Sequence, residues 1–248
     1  MFLIYLTQDP PSGGFVSYVL EKCNSHIKTL DFLFEILYIK FTMNLRMPIG
    51  VSGVAGAGKD LFFQLLSKQL PVRRFALADQ LKRECSSWCL EQYGIDPLNC
   101  SREEKEKVRE FLVYHGTFKR KQSEGRHWVD KLTPSINSFL LNAQTEDIPV
   151  VTDIRYQEYD KDEVAWLRGE LGGVLVHITQ YVDDGTPVAS ERPPVNSEET
   201  RNDPIIKSYA DFLIKWPKIK CDNPEKNEYL MNKVKEFVIW YNEKGEKK

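Results

Sequence analysis

The chain has 248 residues, 42% of them hydrophobic and 28% charged, with a formal net charge of −2. That length suits one sizeable domain with small insertions, and the composition is ordinary for a globular protein. The near-balanced charge leaves no electrostatic footprint for nucleic acid, which argues against helicase-like or packaging roles.

Residues 1–42 read as an N-terminal extension ahead of a main domain at 43–248. Asp31 to Phe41 is apolar, but Glu35 and Lys40 interrupt it, so it is too short and too charged for a spanning helix. The start lacks the basic stretch and small-residue cleavage site of a signal peptide. Two readings stand. Translation begins at Met43, or the extension is a docking or oligomerisation arm; the intact mass of natively expressed protein separates them.

Pro48 to Ser52 reads as a short buried strand. It enters Gly53-Val54-Ala55-Gly56-Ala57-Gly58-Lys59-Asp60, which has the G-x-x-x-x-G-K spacing of a phosphate-cradling loop. The glycines let backbone N–H groups turn inward and approach phosphate oxygens. Lys59 can reach the terminal phosphates as a point charge. The helix predicted from Leu61 to Leu70 adds unpaired N–H donors and the positive end of its dipole. Gly53 to Leu61 are therefore the candidate ATP-binding residues. The position after the lysine is usually Ser or Thr, whose hydroxyl binds Mg²⁺; here it is Asp60. A carboxylate is a hard ligand suited to that ion. The alternative is a helix N-cap or first-turn acid, which is favourable there in any case.

Val72 to Ala78 reads as a second strand, with Asp79 capping a helix that ends at Tyr93. Ser101-Arg-Glu-Glu104 is a capping box opening a charged helix. His127 to Leu141 reads as helical, with Pro134 as a break or kink. Ile148 to Thr152 is a buried-strand run, and Asp153-Ile154-Arg155 sits at its end. A polar helix covers Lys161 to Leu171, and Val174 to Ile178 is the next strand. Residues 180–208 are rich in Pro, Asp, Glu and Ser; Phe212 to Trp216 is a final strand and Asn227 to Tyr241 a final amphipathic helix.

This alternation implies a three-layer α/β/α fold, a mostly parallel sheet with helices on both faces. Ligands in such sheets bind beyond the carboxyl ends of the strands. The loop, Asp79 and Asp153-Ile154-Arg155 all lie at such ends and converge on one edge. Asp153 is a second candidate metal ligand, acting through water. Arg155, on the same side of the strand, could hold an acceptor phosphate as a bidentate fork. A purely structural Asp–Arg pair is the alternative. The five cysteines (Cys23, Cys85, Cys89, Cys100 and Cys221) are scattered and odd in number. They give no disulfide framework and fit a reducing cytoplasm. Cys85 and Cys89 share a helix face without a second pair for zinc, so they read as buried thiols.

Gly58-Lys59-Asp60 resembles the loop of the bacteriophage deoxynucleoside monophosphate kinases and of animal-type phosphomevalonate kinases, both of the P-loop kinase fold related to adenylate kinase. Other stretches resemble the phage enzymes in particular. Phe75-Ala-Leu-Ala-Asp79-Gln-Leu-Lys82 is similar to their second-strand motif. Gly116-Thr117-x-x-Arg120 with Trp128-Val129 resembles their G-T-x-x-R…W-V segment, and Val151-Thr-Asp153-Ile-Arg155 their V-T-D-x-R strand end. Ser197-Glu198 resembles a late-loop pair. The matches run in order from about residue 47 to 240. Val113 stands where a glutamine is often found, and Lys121 to His127 is more basic than in the family; both bear on the substrate pocket.

The resemblance implies ATP-dependent phosphorylation of deoxynucleoside monophosphates to diphosphates. It implies a helical acceptor-binding region at 79–130 and a lid at 180–208. Asp79, Lys82, Arg120 and Trp128 become acceptor-site candidates, the two cations neutralising a monophosphate and the tryptophan walling the pocket. Arg192 and Arg201 are candidates for closing over ATP and stabilising the transferring phosphoryl group. The bland alternatives are a helix cap, solvated cations, a core tryptophan and exposed loop arginines. The implied cofactors are ATP and Mg²⁺, and the implied partners are small molecules, with no nucleic acid and no membrane; a homodimer is compatible. Two rivals stay open. One is a P-loop kinase for phosphomevalonate or dephospho-coenzyme A, and the other a nucleotide-binding regulatory or assembly protein without an acceptor.

Overall fold

The strands β1 (Ile49–Ser52), β2 (Val72–Phe75), β3 (Ile148–Val151), β4 (Val174–Val182), β5 (Ser190–Glu191) and β6 (Phe212–Pro217) form one sheet. The computed structural model describes residues 47–142, 146–182, 190–218 and 223–246. The expected N-terminal extension and residues 183–189 of the expected lid lie outside these. The order is β2-β3-β1-β4, with β6 on the far side of β4. All pairings are parallel except β4 with β5. Tyr181 pairs with both Glu191 and Pro217, so β5 takes the β1 side of β4, beyond the end of β1. That puts β5 directly above the loop leaving β1.

Every residue of β1 and β3 is buried, as expected for strands covered on both faces. One face packs on α1 (Lys59–Leu66) and α7 (Glu228–Glu246), through Phe62, Leu65, Val234 and Phe237. The other face packs on α2 (Leu77–Tyr93), α4 (Arg126–Leu140) and α6 (Ser197–Ser208), through Leu77, Trp128, Leu132 and Ile206. A satellite core of Cys85, Cys89, Val108 and Leu112 joins α2 to α3 (Arg102–Gln122). The three-layer architecture is thus the one the alternation implies, and the two cysteines are buried thiols.

Several local expectations need correction. The second strand stops at Phe75, because the backbone N–H groups of Leu77 and Ala78 bind the carboxylate of Asp153 at 2.9 and 2.7 Å. Asp79 is therefore not the cap. It lies inside the first turn of α2, and the cap is borrowed from the end of β3. Pro134 does not break its helix, since α4 runs through it. The polar helix at 161–171 is only α5 (Glu163–Ala165) followed by a π-helical turn at Trp166–Glu170. The polar stretch at 180–208 contains β5 and the twelve-residue α6. The capping box at Ser101 and Glu104 has both of its reciprocal bonds. Among the described residues, no helix is long and apolar enough to cross a membrane.

Candidate active site

The loop between β1 and α1 turns on glycines held in left-handed conformations. Gly58 has φ 101°, and a Cβ there would sit 2.9 Å from the Trp216 ring. Gly56 has φ 78°, and a Cβ there would sit 3.2 Å from the Arg192 guanidinium. Both positions favour glycine by conformation, and at Gly58 the Trp216 ring also leaves no room for a Cβ. Trp216, fully buried at the end of β6, donates its indole N–H to the Ala57 carbonyl at 2.9 Å. This pins the loop from beneath.

Lys59 folds back onto its own loop, donating to the Gly53 and Val54 carbonyls at 2.5 and 3.0 Å. Burial, and next the positive charge of Arg155, push its ammonium down to about 8, against the opposing pull of Glu199, Asp153 and Asp60. Lys59, Asp60, Asp153 and Arg155 therefore share one electrostatic neighbourhood at the carboxyl edge of the sheet. A polyanion placed there would raise the lysine back toward its ordinary titration range.

Asp60 is exposed in the first turn of α1. Both oxygens of Asp153 are occupied by the start of α2. The Arg155 side chain is exposed, while its backbone N–H donates to Glu163 at 2.6 Å. Among the described residues, no group of three or more His, Cys, Asp or Glu could hold a metal ion.

The acceptor-site candidates are more self-contained. Asp79 pairs with Arg74 at 2.7 Å and Lys82 at 3.5 Å. Burial alone would raise its carboxyl, but the two cations outweigh this and hold it below its usual range. Trp128 is buried in the core under α2, with its indole N–H donating to the Gly116 carbonyl at 3.1 Å. Arg120 is buried too. Its guanidinium bridges Glu158 and Asp162 at 2.5 Å each and lies 3.7 Å over the Tyr156 ring. The expected acceptor roles of Arg120 and Trp128 thus meet side chains already committed inside the protein.

Arg192 and Arg201 part company. The Arg192 backbone N–H donates to the Gln180 carbonyl at 2.7 Å, and its Nε to the Gln180 side chain at 2.8 Å. This lays its guanidinium over Gly56, on the loop. Arg201 points instead to Glu158 and to Glu198, the latter at 2.8 Å. The residue of α6 that touches the loop is Glu199, whose carboxylate accepts the Ala55 N–H at 3.1 Å.

Behind Arg155, the carboxyl of Glu163 is fully buried beside Asp162, and burial pushes it up to about 8. Its unfolded value is near 4.5, so between pH 4.5 and about 8 the folded chain binds one proton more than the unfolded chain. Its contribution is therefore full at low pH and is lost as pH rises through that window. Glu163→Gln keeps a carbonyl for the Arg155 and Tyr156 N–H groups and removes the titration. The variant should match wild type near pH 5 and gain on it by roughly 1 kcal/mol per pH unit toward pH 8, read by urea unfolding. A constant difference across that range would refute the buried acid.

No protein-family model matches the chain, and no curated protein does either. Among solved structures, a dephospho-CoA kinase from Campylobacter jejuni aligns with TM-score 0.42 and 15% identity, over 80% of this chain and 98% of that one. A shikimate kinase from Bacteroides thetaiotaomicron aligns with TM-score 0.35 and 12% identity, over 79% of this chain and 98% of that one.

Proposed function

We propose that this chain is a P-loop kinase that transfers the γ-phosphoryl group of ATP to a deoxynucleoside monophosphate. The observation that carries the reading is the loop itself, with its Ala55 N–H, its half-buried Lys59 and the exposed Arg155 sharing one sheet edge. The Ala55 N–H already donates to an oxyanion, the Glu199 carboxylate, so a phosphate oxygen suits it chemically.

In this reading Lys59 leaves its two carbonyls and neutralises the terminal phosphates. Arg155 holds the acceptor phosphate, and Arg192, already over Gly56, screens charge on the group in transfer. The bond from the γ-phosphorus to ADP breaks, and one from the acceptor's phosphate oxygen forms. That oxygen is already ionised, so positioning and charge stabilisation suffice without a general base. Mg²⁺, when bound, would offset phosphate charge. Asp60 is the exposed carboxylate that could hold it, with Asp153 contributing only from its place at the start of α2. A carboxylate beside a triphosphate repels it unless metal intervenes. Asp60→Thr should therefore depend less strictly on Mg²⁺, keeping a fraction of its full rate at limiting Mg²⁺ that is about two- to fivefold larger than in wild type, as expected for a contact worth a few tenths to 1 kcal/mol. Equal Mg²⁺ requirements would remove Asp60 from the metal site.

One observation favours a second acceptor class. Arg120 and Trp128, the phosphate and base contacts implied by the resemblance, are internally engaged. A P-loop kinase for another phosphorylated small molecule, of the phosphomevalonate or dephospho-coenzyme A type, does not need them. A coupled ADP-release assay across deoxy- and ribonucleoside monophosphates, phosphomevalonate and dephospho-coenzyme A decides. Stimulation by a deoxynucleoside monophosphate supports the first reading. Stimulation only by another acceptor moves the substrate, and no stimulation leaves a nucleotide-binding protein without an acceptor.

A further inference from the structure

The anion site of the loop is in contact with a side chain of the same protein. Both carboxylate oxygens of Glu199 lie within hydrogen-bond reach of the Ala55 N–H, at 3.1 and 3.3 Å. Oε2 also accepts the Val195 N–H at 3.1 Å. The Glu199 backbone N–H is held by Asn196 Oδ1 at 2.8 Å, which fixes the residue in the first turn of α6. Glu199 is among the charges that act on Lys59. With Lys59 turned onto the Gly53 and Val54 carbonyls, the Ala55 N–H and the loop's cation are both engaged internally.

A phosphate oxygen and the Glu199 carboxylate cannot share this state. They compete for one N–H, and two anions that close repel. We infer that Glu199 is an internal competitor for the donor-phosphate site, closing the loop in the free chain and leaving it when a triphosphate binds. This rests on reading the loop as the donor site. The segment that carries it spans the loop from both sides: Arg192 lies over Gly56, and α6 is tied down by Asp203 to His177 of β4 at 3.1 Å and by Lys207 to Glu191 of β5 at 2.9 Å. These ties leave the backbone of α6 in place, so the carboxylate departs by swinging its own side chain. The apparent affinity for a triphosphate is then the intrinsic affinity reduced by the fraction of molecules with Glu199 withdrawn.

The test is calorimetric titration of the full chain with MgATP and, separately, with inorganic tripolyphosphate. Glu199→Ala removes the competitor and should bind both about tenfold or more tightly than wild type, as expected on losing a charge-assisted hydrogen bond. Glu199→Gln keeps the shape and an acceptor oxygen but not the charge, and should fall between; it carries the test if the alanine variant does not fold. Glu243→Ala removes one exposed charge on α7 and controls for net charge. Glu199 variants that bind no more tightly than Glu243→Ala overturn the inference. If wild type binds ATP, Lys59→Met does not, and the Glu199 variants equal wild type, the inference falls while the donor site stands. If neither wild type nor any Glu199 variant binds ATP or tripolyphosphate, both fall.

Discussion

Lys59→Met is expected to lower the phosphoryl-transfer rate by about 100- to 1,000-fold while leaving the fold intact. The magnitude is that of losing one fixed electrostatic contact to charge developing in a transition state. The fold should survive because, among the described residues, Lys59 forms no ion pair. Its ammonium is half-buried on two backbone carbonyls and already pushed down to about 8, so the site disfavours the charge relative to water. A methionine has similar length, is apolar, and removes that desolvation. Thermal melting and kcat measured on the same sample separate the two effects. A variant with an unchanged melt and an unchanged rate would take Lys59 out of the chemistry. A variant that loses both together would make it structural.

Arg120→Met should instead destabilise the protein by roughly 3–5 kcal/mol, as expected when one partner of a buried ion pair is removed. Asp162 is fully buried, and the substitution leaves its carboxylate without its cation. Glu158 loses a partner too, keeping Arg201 and Asn202. The stacking on Tyr156 goes with them. Urea unfolding reads this directly as a lower midpoint. The resemblance to phage kinases gives Arg120 a different part, holding the acceptor phosphate. In that case the variant would keep its stability and lose only acceptor affinity. The urea midpoint therefore chooses between a structural arginine and a binding one.

The frame of the molecule was legible because its signals are local. A buried four-residue strand, a glycine loop and a helix follow one another within the stretch from Ile49 to Leu66. The reciprocal bonds of Ser101 and Glu104 are likewise written within four residues. The errors arose where a distant partner decided the outcome. Asp79 reads as the cap of α2, yet the N–H groups there are taken by Asp153, 75 and 76 residues away. Nothing in the local string announces this. Equally silent in the local string, though no reading is overturned by them, are the bond by which Trp216 holds the loop across 159 residues and the pairing of Arg120 with Glu158 and Asp162.

The α6 helix is a different kind of miss. Its composition looks like a loop, but Asn196 followed three residues later by Glu199 is a recognisable start signal. The Asn196 side chain does accept the Glu199 N–H. Reading that signal would have placed Glu199 on a helix start rather than in a loop, although not its reach to Ala55. Glu199, which touches the proposed donor loop, thus stands next to the Ser197-Glu198 pair that the resemblance singles out.

The central claim is that this edge of the sheet moves a phosphoryl group onto an acceptor rather than onto water. Phosphorus NMR of the full chain with MgATP and a mixture of deoxynucleoside monophosphates tests it most directly. The prediction is that the γ-phosphorus signal of ATP is replaced by the β-phosphorus signal of a new deoxynucleoside diphosphate, and that Lys59→Met blocks the change. Conversion of the γ-phosphorus to inorganic phosphate alone, at a rate indifferent to the monophosphates, would contradict it.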